Sequence, residues 1–170
     1  MTTSVAFVSV LVWGVVLQPS RLPARDTTLS CKQTPAENLL PSVVGPMAGS
    51  RPAWFVDDGG DLFWEHAEHP VKTLWIVSRT SAPVRITGNR VDGPGTVKFR
   101  RGQDQPIEAE FVIADPSVAS AIPGGASADV MRAYSFIPSH VFYSSPGCWE
   151  FTVQVGSGEI RLVREIKPAR

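Results

Sequence analysis

Strict alternation of apolar and polar residues marks the C-terminal part of the chain. In "CWEFTVQV", Trp149, Phe151, Val153 and Val155 fall on one face and Glu150, Thr152 and Gln154 on the other. A period of two is the mark of a half-buried strand. "GSG" at 156–158 turns the chain, and "EIRLVREI" runs back with Ile160, Leu162 and Val163 toward the core and Arg161 and Arg164 mostly outside. Two such strands joined by a tight glycine turn predict a terminal hairpin.

Upstream, "AWFV" and "LFWEH" flank "DDGGD", which predicts a first hairpin closed by an Asp/Gly turn. "VKTLWIVS" breaks the alternation: Leu74, Trp75, Ile76 and Val77 are continuous, as in a strand covered on both faces. "VRITGNRVDG", "GTVKFRR", "IEAEFVIA" and "YSFIPSHVFYSS" extend the series, while residues 115–133, rich in Ala, Ser, Pro and Gly, read as a long loop or decorated connection. Roughly seven to nine short strands with turns at this spacing predict an all-β fold, an antiparallel two-sheet sandwich. Fifteen prolines and fourteen glycines in 170 residues support that reading, because few helical spacings escape interruption.

The N-terminal end has a different character. Val5 to Leu17 is an apolar run without a charge or proline. A spanning helix needs about 20 apolar residues, whereas a secretory apolar region takes about 7–15. The run is therefore read as a signal peptide or anchor segment, with a buried strand of the domain as the competing reading. "LPA" at 22–24 offers a cleavage site before Arg25. The predicted organisation is 1–24 signal or anchor, 25–51 extended arm and 52–170 sandwich, in an extracytoplasmic protein, secreted or held at the cell envelope. Basic and acidic residues balance at 16 each, which argues against a broad electrostatic footprint for nucleic acid.

"PVRITGNRVDGPG" and, further on, "FIPSHVFYSSPGCWEFTVQVG" resemble a family of uncharacterised exported bacterial proteins, and "CKQTPAEN" at Cys31 partly matches the start of that pattern. The Pro-Gly-x-Trp opening also resembles the penultimate strand of bacterial immunoglobulin-like domains, where the aromatic packs across the corner at which the chain enters the sheet. The resemblance implies an immunoglobulin-like fold and export, and supplies no function. Residues 101–133 are longer and more polar than it implies.

The two cysteines admit two readings. Exported domains in oxidising compartments tend to pair their cysteines, which would join Cys31 to Cys148 across nearly the whole domain. Alternatively Cys31 carries a lipid and Cys148 is a buried thiol. A lipoprotein signal places an aliphatic residue three positions before the cysteine; Thr28 stands there. The disulfide is the favoured reading.

Candidate chemistry is sparse. His66 and His69 in "WEHAEHP" could share a metal ion, yet a separation of three places them on opposite faces of a strand, so they meet only if the stretch turns. The blander reading is an exposed loop, and no metal is assigned. "DDGGD" resembles a fragment of a calcium loop but lacks the terminal glutamate that would complete the shell, and Asp and Gly serve a turn in any case. No nucleophile elbow, reactive-cysteine signature or phosphate loop is present, so the chain is read as non-enzymatic and without a cofactor. Trp54 and Trp64 are the ligand-binding candidates, as a stacking platform for a carbohydrate, against the reading that the aromatics fill the core. "KFRR" at 98–101 reads as a solvated strand end. The expected partner is an envelope protein or a glycan; membrane contact would come only through the N-terminal segment or a lipid on Cys31.

Overall fold

The computed structural model describes residues 30–40, 42–56, 62–80 and 82–169. The run Val5–Leu17 and the "DDGGD" turn lie outside these residues. The described strands are β1 (Ala36–Glu37), β2 (Met47–Ser50), β3 (Ala53–Val56), β4 (Leu62–Trp64), β5 (Val71–Ser78), β6 (Val84–Arg90), β7 (Val97–Arg100), β8 (Phe111–Ile113), β9 (Tyr134–Tyr143), β10 (Gly147–Val155) and β11 (Gly158–Pro168), with short helices α1 (Pro116–Ala119) and α2 (Ala128–Ala133) before β9. They form two sheets, A in the order β1-β2-β3-β5-β9-β7 and B in the order β4-β11-β10-β6-β8. Packed face to face, they make the expected immunoglobulin-like sandwich. All pairings are antiparallel except β4 with β11, which is parallel.

The inter-sheet core is built from alternate residues of every long strand. Phe55, Trp75, Phe151, Tyr143 and Trp149 interlock there, with ring centroids 5.2 Å apart for Phe55–Trp75, 5.4 Å for Trp75–Phe151 and 5.3 Å for Tyr143–Trp149. Edge-on packing of this kind suits the ring quadrupoles. The Trp75 indole N–H donates to Ser139 Oγ at 3.0 Å, so this core tryptophan is satisfied as well as buried. Burial pushes the Tyr143 hydroxyl far above its usual pKa, although the nearby charge of Arg164 opposes the shift.

A second cluster lies on the opposite face of sheet A. Trp54, Ile76 and Phe136 are cross-strand neighbours there and pack with Leu40, Val43, Val130 and Met131. This explains the unbroken apolar run in β5: Trp75 and Val77 point between the sheets, and Ile76 points under the cover formed by the N-terminal arm and α2. Residues 115–133 are thus a covering insertion carrying two helices. Ser127 caps α2 by accepting from the Val130 N–H.

Three sequence expectations change. The expected first hairpin does not form: β3 belongs to sheet A and β4 to sheet B. Within the expected 25–51 arm, β2 is hydrogen-bonded to β3, with Met47 and Ala48 fully buried. Arg164 is buried, and Val163 takes the other face, because strict alternation from Leu162 requires it. The Arg164 guanidinium lies 5.7 Å from the Phe55 ring centroid and donates to the Thr34 carbonyl. The terminal hairpin itself stands as expected, with Val155 opposite Gly158.

Candidate functional site

The corner where β10 begins is held by a disulfide and by side-chain hydrogen bonds. Cys148 has the same parity as Glu150, so it faces away from the inter-sheet core and meets the arm. There it is bonded to Cys31, with Cα atoms 5.5 Å apart. The arm then runs along β11: the Thr34 N–H donates to the Val163 carbonyl at 3.0 Å, and the Val163 N–H donates to Thr34 Oγ1 at 2.8 Å. Cys31 and Cys148 are therefore a structural staple, and neither offers a thiol for lipid attachment or catalysis.

The two motifs noted above meet at this corner. Arg90, at the end of β6, donates through Nε to Asp92 Oδ1 at 2.6 Å and through Nη1 to Ser145 Oγ at 3.0 Å. Burial works against the Asp92 carboxylate. Hydrogen bonds from Arg90 and the Cys148 backbone outweigh it and hold the pKa below the usual range. Gly147 adopts a φ of 146°, and a β-carbon there would run into the Arg90 guanidinium. "SPGCW" and "RVDG" thus interlock.

The aromatic candidates do not form a platform. Trp54 is only 4% exposed, on the covered outer face of sheet A, against Tyr134 at 5.7 Å. Trp64 is half-buried in the other sheet, where its indole N–H donates to the Tyr143 carbonyl at 2.9 Å. Stacking on a sugar needs exposed faces, which Trp54 lacks, and the two rings stand on strands of different sheets.

His66 and His69 do come together. The stretch after β4 turns, with the His69 N–H donating to the His66 carbonyl at 3.0 Å. The ring centroids lie 5.6 Å apart, and His69 Nδ1 is 3.4 Å from Glu65 Oε2. Ligand atoms of Glu65, His66 and His69 all fall within 4.8 Å of one another, and all three residues are exposed. The third histidine, His140, lies on β9 opposite Lys72 and is not one of this group.

A groove of about 340 Å³ opens on the outer face of sheet A beyond the covered cluster. Val56, Leu74, Phe136 and Pro138 line it, with Ile122 at its lip and Lys72 at one end. Pairing places Lys72, His140 and Arg100 side by side on three neighbouring strands. Burial first, then the charges of Arg100 and Lys72, push the His140 pKa down. Arg100 also stacks 5.3 Å from the Phe142 ring centroid. Sequence reasoning missed this row. "KFRR" was its only local sign, because the register that aligns three strands is not written in any one of them.

No family model matches the chain, and no curated protein matches it. Among solved structures, it is similar to a "Putative Lipoprotein from Bacillus anthracis", with 12% identity, a TM-score of 0.48 and coverage of 89% of this chain and 98% of the other. At that distance the likeness carries no argument about function or location.

Proposed function

We propose that the chain is an exported, non-enzymatic interaction module of the bacterial cell envelope, akin to the exported proteins whose motifs it resembles. The observation that carries this reading is the Cys31–Cys148 staple, since structural disulfides persist where the surroundings are oxidising. A binding role is supported by the open apolar groove on sheet A, bounded at one end by Lys72. The carbohydrate alternative loses its basis with the burial of Trp54 and the anchoring of the Trp64 indole.

Intact mass of the native protein from cell fractions, with and without reduction and thiol alkylation, tests the proposal. Export predicts a processed chain in an extracytoplasmic fraction that gains two alkyl groups only after reduction. An unprocessed cytoplasmic chain with two free thiols would overturn it.

A further inference from the structure

We propose that Glu65, His66 and His69 bind one divalent transition-metal ion of the zinc class, with solvent completing the coordination. Zinc takes imidazole nitrogen and carboxylate oxygen at about 2.0–2.2 Å, in tetrahedral sites with three protein ligands and a water. Neighbouring ligand atoms of such a tetrahedron are about 3.3 Å apart, and the Glu65–His69 separation is 3.4 Å. The whole set already lies within 4.8 Å, so the widest pair need close by only about 1.5 Å to reach that spacing.

The turn that presents these residues is held at both ends. Trp64 pairs with Pro168 in sheet B, its carbonyl accepts from the Ala169 N–H, and its indole is tied to Tyr143. Val71 begins the central strand β5 of sheet A. Within the turn, the His66–His69 backbone hydrogen bond brings the two rings to one side. Pre-placement of this kind lowers the ordering cost that makes a two-histidine motif on a loose loop ineffective. Exposure of all three gives the ion a path in. The donor set decides the ion class: two imidazoles and one carboxylate suit zinc or copper, whereas calcium demands six to eight oxygens. This inference is independent of where the protein resides.

The test uses untagged protein with its disulfide intact, titrated with zinc chloride by calorimetry and followed by proton NMR of the imidazole C–H signals. The chain has three histidines, so each can be assigned. One zinc per chain is expected, with His66 and His69 signals shifting together and His140 unmoved. His66→Gln and His69→Gln should each weaken binding by about tenfold or more, and Glu65→Gln by less, since each removes one of three ligands. These side chains are exposed, so the variants should keep the native circular dichroism. Calcium and magnesium should produce no saturable shift. The proposal is overturned by the absence of saturable zinc binding. It is equally overturned if zinc binds undiminished to the His66→Gln/His69→Gln double variant, or if calcium matches zinc.

Discussion

Replacing both cysteines by alanine isolates what the staple contributes. The bridge closes a loop of 117 residues. In the chain-entropy treatment, releasing a loop of that length restores about 4.9 kcal/mol of conformational freedom to the unfolded chain at 25 °C. Domains of this size are stable by only about 5–15 kcal/mol, so the loss is a large share of the whole. Urea unfolding of the oxidised protein and of the Cys31→Ala/Cys148→Ala variant measures it. With a slope of about 2 kcal/mol per molar, the midpoint should fall by about 2 to 2.5 M.

The same pair of proteins separates two origins of the effect. If the staple acts through the unfolded chain, the arm stays docked and Thr34→Val costs about 1 kcal/mol in both backgrounds, the value of its hydrogen bond to Val163. If the bridge instead holds the arm in place, the Thr34→Val cost vanishes once the cysteines are gone. A midpoint shift below about 0.5 M at unchanged slope would refute the loop-closure reasoning, because it corresponds to about 1 kcal/mol.

Other substitutions probe the corner and the core. Gly147→Ala forces a side chain into a left-handed conformation and against Arg90; a cost of about 2 kcal/mol or more should lower Tm by about 5 °C or more in thermal scans. Asp92→Asn should cost about 1–2 kcal/mol at pH 7 by weakening the Arg90 pair. Because the folded pKa of Asp92 lies below its unfolded value, its contribution is present above about pH 4 and fades as pH falls through the folded pKa. Wild type and Asp92→Asn should therefore converge in stability as pH falls through the folded pKa of Asp92, read by urea midpoints across pH, and a gap that does not narrow on acidification would contradict the pairing. Phe151→Ala empties a site surrounded by Phe55, Trp75, Phe99 and Tyr143; a loss of about 3–5 kcal/mol is expected by denaturant unfolding.

What the sequence reveals, and what it hides, divides along the range of the interactions concerned. The hairpin β10–β11 was legible because alternation and the glycine turn are both local, and its register follows from them. The two-sided burial of β5 was legible from its unbroken apolar run, though not what covers its second face. The crossing from β3 to β4 was hidden because an Asp/Gly turn looks alike whether the next strand folds back or leaves for another sheet. That choice is made by β11, which lies about a hundred positions downstream and pairs with β4 in parallel. A parallel partner has no local turn to announce it. The histidine pair shows the same limit. A spacing of three separates two rings on a strand and unites them on a turn. Only the pairing of Trp64 with the C-terminal strand decides that the strand has ended before His66 is reached. The candidate site is thus a consequence of the long-range topology, and a change that frees β4 from β11 should disperse Glu65, His66 and His69 without altering any of them.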